Sequence, residues 1–219
     1  MIALFLGAPG SGKGTQAKRL AERIGVIHLS TGDVLREEVR TQTDLGRSAE
    51  RYMKAGELVP DGLIIDIITT RMAQAENSAG FILDGFPRTV SQAKKLDEIF
   101  AKSGLKLDRV IFLNVPEEEL VKRLSGRYYC PVCNAGYNYP VHLPKVDGVC
   151  DYEGAKILRR PDDEESVVRT RLKVYKDKTS PLEDYFRPRP GFVEIGGALH
   201  PDRVTKVILQ AFDPAGEVE

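Results

Sequence analysis

A chain of 219 residues with 42% hydrophobic and 29% charged residues has the composition of a folded domain rather than of a disordered segment. Thirty-two basic residues balance thirty-two acidic ones, which argues against a partner held by bulk charge, such as duplex DNA or an anionic membrane surface. No stretch approaches the roughly 18 consecutive apolar residues of a membrane helix, so we expect neither a nucleic acid nor a membrane as partner.

Short apolar runs mark the strands of a predicted sheet. The first run, MIALFL, is apolar throughout and ends at a glycine, as expected of a parallel strand buried on both faces. It carries no basic leader, so we expect no signal peptide. Four further strands are predicted at residues 26–29, 81–84, 109–115 and 191–195.

Helical patterns lie between these runs. One follows the first strand and stops at Gly25, one follows Asp61 as a candidate N-cap, one begins after Pro116, and one lies near the end of the chain. Strands that alternate with helices predict an α/β fold, with a parallel sheet covered on both faces. In such sheets, ligands bind at the carboxyl ends of the strands.

Two stretches interrupt the alternation. Residues 30–59 carry helical patterns without a strand. Residues 127–163 are dense in Gly, Pro, Tyr and Cys and have almost no helical periodicity. We interpret the second stretch as a small β-rich or irregular insertion.

The stretch FLGAPGSGKGTQ contains the G-x-x-x-x-G-K spacing of a phosphate-binding loop, formed by Gly7, Gly12 and Lys13. Its position between an apolar strand and an amphipathic helix is the required context, because the free N–H groups at a helix start attract anions. Lys13 is predicted to reach the outer phosphates. Gly14 occupies the position where a Ser or Thr is expected, and the hydroxyl comes one residue later, at Thr15.

An acid and an arginine follow the strand at residues 81–84. Asp84 ends that strand at the predicted ligand edge, where a carboxylate can hold Mg²⁺ or its waters. In the sequence GFPRT that follows, Pro87 stiffens the turn and Arg88 is placed at the same edge. A guanidinium there can neutralise charge as a phosphoryl group moves.

The segments GAPGSGKGTQ, STGDVLRE, GELVPD, LDGFPRT and RRPDDEESVVRTRL, in this order, closely resemble the adenylate kinase family. The resemblance spans nearly the whole chain. It implies the reaction Mg·ATP + AMP ⇌ 2 ADP, which serves adenine nucleotide homeostasis, on a P-loop kinase fold with a five-stranded parallel sheet flanked by helices. The core then comprises residues 1–29, 60–126 and 164–219, with an AMP-binding subdomain at 30–59 and a lid at 127–163.

The resemblance also implies the residues of the site. The ATP-binding residues would be Gly10, Ser11, Gly12, Lys13, Gly14, Thr15, Arg123, Arg127, Gly136, Tyr137 and the carbonyl near Leu199. The AMP-binding residues would be Thr31, Arg36, Glu57, Leu58, Val59, Gly85, Phe86, Pro87, Arg88, Gln92, Arg160 and Arg171. The catalytic residues would be Lys13, Asp84, Arg88, Arg123, Arg160 and Arg171, with Asp162 and Asp163 as acids near the lid hinge.

The arginines of this set suit the reaction chemically. Two polyanions repel each other, and convergent guanidinium groups supply charge together with bidentate donors. Arg123 and Arg127 are four residues apart, which predicts that both project from one helix face into the same cleft.

The cysteines form the pattern Cys130-x-x-Cys133-x16-Cys150, a spacing that suits one tetrahedral structural Zn²⁺. The resemblance places the fourth ligand at Glu153, where relatives often carry Cys or Asp, and Asp151 is a competing candidate. The alternative is a metal-free lid with reduced thiols. His28, His142 and His200 show no metal spacing and are interpreted as structural or surface residues. An odd number of cysteines favours a reducing compartment, so we expect a cytoplasmic protein.

Two other functions compete with this interpretation. The first is a kinase for another nucleoside monophosphate (UMP, CMP or GMP). The second is a zinc-ribbon binding module with nucleotide-gated switching and no phosphoryl transfer, which the neutral net charge and the arginine set disfavour. We further expect a monomer, as the resemblance implies.

Overall fold

The computed structural model describes residues 1–74, 79–139 and 141–212. Its centre is a five-stranded sheet in the order β2-β3-β1-β4-β8, and every neighbouring pair of strands is parallel. The strands are β1 (Ile2–Gly7), β2 (Ile27–Ser30), β3 (Phe81–Asp84), β4 (Arg109–Asn114) and β8 (Phe192–Gly196). All five coincide with predicted runs, which confirms the α/β fold with a parallel sheet.

Helices connect the strands. They are α1 (Lys13–Ile24), α2 (Thr31–Arg40), α3 (Asp44–Ala55), α4 (Asp61–Gln74), α5 (Val90–Ser103), α6 (Glu117–Ser125), α7 (Glu165–Val174), α8 (Pro181–Phe186) and α9 (Pro201–Phe212). The sequence patterns predict every one of these helices except α5, α7 and α8. A 3₁₀ turn at Pro161–Asp163 precedes α7, and a π-helical turn at Tyr175–Thr179 joins α7 to α8.

The sheet is covered on both faces, because alternate side chains of each strand point to opposite sides. Leu4 and Leu83 belong to a buried cluster with residues of α4, α5 and α8. Phe5 and Ile111 belong to a second cluster with residues of α1 and α9. This double burial explains why the strands read as continuous apolar runs.

The register brings the polar ends of the strands to one edge. Ser30 pairs with Asp84, and Gly7 pairs with Leu113. The phosphate-binding loop therefore leaves the sheet at the same edge as the Asp84 carboxylate, as predicted.

The two insertions differ in kind. Residues 30–59, here called the helical insertion, contain the packed helices α2 and α3. Residues 127–163, the lid, contain a three-stranded antiparallel sheet of β5 (Arg127–Tyr129), β6 (Gly136–Asn138) and β7 (Leu158–Arg159), in the order β6-β5-β7. Both agree with the sequence patterns. Among the described residues, no helix combines the length and apolar content needed to cross a bilayer.

The prediction that Arg123 and Arg127 share a helix face is wrong. Helix α6 ends at Ser125, and Arg127 opens strand β5, where it pairs with Asn138. The helix cannot continue through Gly126, because its carbonyl accepts the N–H of Tyr139 at 2.8 Å and draws the chain into the lid sheet.

Candidate active site

The phosphate-binding loop ends at the start of α1 with its backbone donors free. Gly12 precedes the helix with a φ of 91°, which glycine adopts without strain. No side chain caps this end of α1, and its first turn contains no acid. The first N–H groups of the helix are therefore available to an anion.

Asp84 faces this loop closely. A Cβ atom on Gly14 would lie 3.1 Å from Asp84 Oδ2, so a serine at this position would crowd the carboxylate. The same oxygen lies 3.3 Å from His28 Nε2. Burial opposes the ionisation of Asp84, but the hydrogen bond from His28 and the charge of Lys13 outweigh it and hold its pKa below the ordinary value. The sequence analysis did not anticipate the contact with His28, because no spacing connects the two residues.

Three cations converge near this edge at an electrostatic cost. Burial lowers the pKa of Lys13 to about 8, assisted by the nearby charges of Arg88, Arg171 and Arg127. Burial and the charge of Arg171 lower the pKa of Arg88 to about 10. Burial and the charge of Arg36 lower the pKa of Arg160 to about 9. The protein thus concentrates positive charge that its own carboxylates do not balance.

Several of the predicted arginines already have acidic partners. Arg127 and Arg171 both bind Asp163, whose side chain is fully buried, and Arg171 also binds Asp162 at 2.9 Å. On the helical insertion, Arg36 pairs with Asp33. The charges at the lid hinge therefore form a connected network that joins β5 to α7.

Arg123 is held by a different pair of contacts. It bonds Glu119 at 2.9 Å and donates to the carbonyl of Gly197 at 2.8 Å. The second contact anchors it against the loop that follows β8.

Arg88 and Arg160 differ from these arginines. Arg88 Nε donates to the Gly85 carbonyl at 2.9 Å, and no ion pair forms at its guanidinium within the described ranges. Arg160 Nε is buried and has no hydrogen-bond partner among the described residues. A buried donor without a partner costs free energy. An anionic ligand that accepts hydrogen bonds from these two guanidinium groups would remove that cost.

A cleft, open at its mouth, lies between the core, the helical insertion and the lid hinge. Nine of the predicted AMP-binding residues line it, namely Thr31, Arg36, Glu57, Leu58, Val59, Gly85, Arg88, Gln92 and Arg171. Phe86 and Pro87 are buried. Leu35, Met53 and Ile64 supply apolar walls that the sequence analysis did not identify, although their apolar character within helical patterns was a usable signal.

The lid approaches the helical insertion. Asn134 of the lid lies close enough to Asp33 of the helical insertion to stabilise its carboxylate. Burial opposes the ionisation of Asp33, but Arg36 and Asn134 outweigh it and lower its pKa to about 2.

The protein family described as "Adenylate kinase" matches residues 5–190 of the chain. The chain belongs to the adenylate kinase family. It is similar to the adenylate kinase of Thermosipho africanus, with 47% identity over 95% of this chain and 98% of the relative. It is also similar to the adenylate kinases of Caldicellulosiruptor saccharolyticus (44% identity, 96% and 98% coverage) and Archaeoglobus fulgidus (47% identity, 95% and 96% coverage).

Four of the predicted ATP-binding residues are either exposed or have a side chain that is engaged elsewhere. Thr15, Gly136 and Leu199 are exposed, so only an arriving ligand would cover them. The side chain of Tyr137 points into the lid interior, where its hydroxyl donates to Cys150 Sγ at 3.5 Å. Only its backbone is left to contact a nucleotide.

The three cysteines of the lid lie together. The sulfur atoms of Cys130, Cys133 and Cys150 are all within 4.8 Å of one another. Burial disfavours the Cys150 thiolate, but the Tyr137 hydroxyl and the following backbone N–H groups outweigh it and hold the Cys150 pKa below its usual range. Clustered thiols with donors directed at one sulfur fit a soft metal ion such as Zn²⁺.

Residues 130–135 and 150–155 form two turns of matching geometry. In each, the N–H of the first residue donates to the carbonyl of the sixth, at 2.9 and 2.8 Å, and the N–H of the fifth donates to the carbonyl of the first at 3.0 Å. The fourth position is Cys133 in one turn and Glu153 in the other. Asp151 is already engaged, because its carboxylate accepts the N–H of Lys145 at 2.7 Å.

Proposed function

We propose that the chain transfers a phosphoryl group reversibly from Mg·ATP to AMP and so forms two ADP. The observation that carries this proposal is the pair of guanidinium groups of Arg88 and Arg160. Among the described residues neither forms an ion pair, and burial lowers the pKa of both, as it does for Lys13. An anionic ligand offsets the repulsion that each of them experiences from neighbouring arginines, Arg171 and Arg36 for Arg88 and Arg36 and Arg127 for Arg160. Family membership supplies the identity of the two nucleotides.

On the donor side, Lys13 and the uncapped N–H groups at the start of α1 bind the ATP phosphates. Arg123 and Arg127 reach the same phosphates from α6 and the lid, and the backbone near Gly136 and Leu199 contacts the nucleoside. Asp84 fits the magnesium ion that accompanies ATP, because its carboxylate is ionised, faces the loop and lies at the end of a strand. When bound, the metal neutralises charge on the transferred phosphate.

On the acceptor side, the helical insertion supplies Thr31, Arg36 and the backbone of residues 57–59, and the turn after β3 supplies residues 85–88 and Gln92. The apolar wall formed by Leu35, Met53 and Ile64 suits the face of a base. Arg36, Arg88 and Arg171 suit its phosphate.

Between the two nucleotides, Arg88, Arg160 and Arg171 stabilise negative charge on the moving phosphoryl group, which is the dominant effect in this class of reaction. The lid excludes water and thereby protects ATP from hydrolysis. This division of labour assigns residues 1–29, 60–126 and 164–219 to the core, residues 30–59 to AMP binding and residues 127–163 to the lid.

The decisive experiment is an acceptor assay. We expect higher initial rates with AMP than with CMP, GMP or UMP when Mg·ATP is the donor and ADP is measured. A higher rate with any other monophosphate identifies a different nucleoside monophosphate kinase. Retention of nucleic acid without any ADP formation supports the binding-module alternative.

We also propose that the lid holds one structural Zn²⁺ through Cys130, Cys133, Cys150 and Glu153. Glu153 is favoured over Asp151 because it occupies the position equivalent to Cys133, whereas the carboxylate of Asp151 already accepts the N–H of Lys145. We expect metal analysis to find about one zinc per chain. Chelation should lower the unfolding temperature before it abolishes turnover, since the metal supports a segment too small for its own core.

Paired variants separate the two acids. Glu153→Ala should weaken zinc retention, and Asp151→Ala should retain the metal. Stoichiometric analysis that finds no zinc in the unaltered protein ends the proposal.

Free thiols in the lid are also consistent with a reducing compartment, and we propose a cytoplasmic monomer that requires neither a nucleic acid nor a membrane.

A further inference from the structure

The side-chain amide of Gln92 is held at both ends by groups whose hydrogen-bonding roles cannot change. Its Oε1 accepts the backbone N–H of Arg88 at 2.7 Å, and its Nε2 donates to Asp61 Oδ1 at 2.7 Å. A backbone N–H can only donate, and an ionised carboxylate can only accept. The chemistry of these two partners therefore dictates which way the amide faces.

Burial makes this orientation hard to reverse. Gln92 is only 2% exposed, and its own backbone N–H is fixed by the Thr89 hydroxyl at 3.1 Å. A reversed amide would place its N–H₂ against the N–H of Arg88 and its oxygen against the carboxylate of Asp61. Both pairs would then be mismatched in a site with little access to water, where unpaired polar groups are costly.

The fixed amide presents a defined pattern to the cleft, which Gln92 lines. An amide has two N–H donors and two oxygen lone pairs, and one of each is already used. One donor on nitrogen and one acceptor on oxygen remain. They complement the Watson–Crick edge of a 6-aminopurine, whose amino group donates and whose N1 accepts. A 6-oxopurine presents the reverse pattern, because its O6 accepts and its N1–H donates.

We propose that Asp61 is a positioning residue that sets base selectivity: by fixing the Gln92 amide, it makes the acceptor site favour a 6-aminopurine monophosphate over a 6-oxopurine one. The inference rests on the proposed function, since it concerns the acceptor nucleotide of that reaction. It also revises the expected role of Asp61. The prediction of an N-cap is wrong, because Asp61 is the first residue within α4 and its carboxylate binds Gln92 instead.

Inosine monophosphate is the sharpest test substrate, because it differs from AMP only at the edge that the amide reads. The measurement is kcat/KM for AMP and for IMP, with saturating Mg·ATP, in the parent enzyme and in variants at Asp61. Asp61→Asn and Asp61→Ala each remove one of the two constraints on the amide. We expect the AMP:IMP ratio to fall about tenfold or more in both.

Two further variants complete the test. Asp61→Glu keeps a pure acceptor and should restore much of the ratio. Asp66→Asn is the matched control, because it makes the same charge change at an exposed position of the same helix and should leave the ratio unchanged.

The outcomes are distinguishable. If Asp61 only supports α4, its replacement lowers the unfolding temperature and both rates together, and a constant AMP:IMP ratio overturns the inference. If the parent enzyme fails to phosphorylate AMP, the proposed function fails and this inference fails with it. A normal parent enzyme with unchanged selectivity in Asp61→Asn and Asp61→Ala overturns only the role of Asp61.

Discussion

Replacing Arg88 with alanine is expected to lower kcat by about 10³, while the KM values for ATP and AMP change much less. Arg88 forms no ion pair with any carboxylate in the described part of the chain, and its guanidinium lies among other cations at the end of β3. Its charge is therefore available to the phosphoryl oxygens, whose negative charge shifts most in the transition state. A loss of this size corresponds to about 4 kcal/mol of transition-state stabilisation.

Two control variants test whether the loss of turnover is specific to the guanidinium group of Arg88. Arg88→Lys keeps a charge but loses the planar fork, so it should recover only part of the activity. Arg40→Ala removes an exposed arginine that pairs with Glu37, and it should change turnover by less than about threefold, as expected of a surface ion pair. Equal losses in substrate affinity and in kcat for Arg88→Ala would contradict a role in the transition state.

The second large effect concerns Lys13. Lys13→Met should lower kcat/KM for ATP by about 10³, because an ammonium group at the phosphates is lost. The same variant should unfold at a temperature no lower than that of the parent without ligand. Burial already lowers the pKa of Lys13 to about 8, which means that its surroundings in the folded protein disfavour the charged ammonium group. Steady-state kinetics and thermal unfolding measure the two effects separately.

The pH dependence of ATP binding tests the same group in the unaltered protein. Without ligand, Lys13 loses its proton as the pH rises through about 8. Bound phosphate favours the charged form, so binding above that pH requires proton uptake, and ATP affinity should fall by up to about tenfold per pH unit. Below pH 8 the group is already charged and affinity should level off.

The lowered pKa of Lys13 also determines how the free energy of unfolding depends on pH. Above pH 8 the unfolded chain holds the Lys13 proton more tightly than the folded one, so the stability of the unliganded protein should rise with pH in that range. Lys13→Arg keeps its charge and should lack the pH-dependent loss of ATP affinity. A flat affinity profile in the parent enzyme would contradict the proposed role.

Local signals predicted most of the framework. The inner strands β1, β3 and β4 are largely apolar runs, because a parallel strand buried on both faces leaves little room for polar side chains, whereas the edge strands β2 and β8 carry His28 and Glu194. Gly7, Lys13 and Asp84 fall at the edge where the sequence analysis expected them, since a parallel sheet aligns the carboxyl ends of its strands. The long motifs added the family, which the comparisons then confirmed.

The errors arose where distant residues override a local pattern. Spacing placed Arg127 on a helix with Arg123, but pairing with residues of β6 made it the start of a strand. The position of Asp61 before a helical pattern suggested a cap, but its carboxylate binds Gln92, 31 residues later in the chain. Propensity describes neighbours in sequence, and tertiary contacts decide between structures of similar local energy.

The amino-acid sequence by itself therefore determined the α/β fold, the phosphate-binding loop and the inventory of charged groups, since each depends on periodicity or on residue type. Only the tertiary structure decided which arginines have partners. Asp163 neutralises Arg127 across 36 residues of chain, whereas Arg160 Nε remains buried and unpaired. The physical reason is that a charge is stabilised by the groups packed around it, and those groups come from chain segments whose proximity no local pattern encodes.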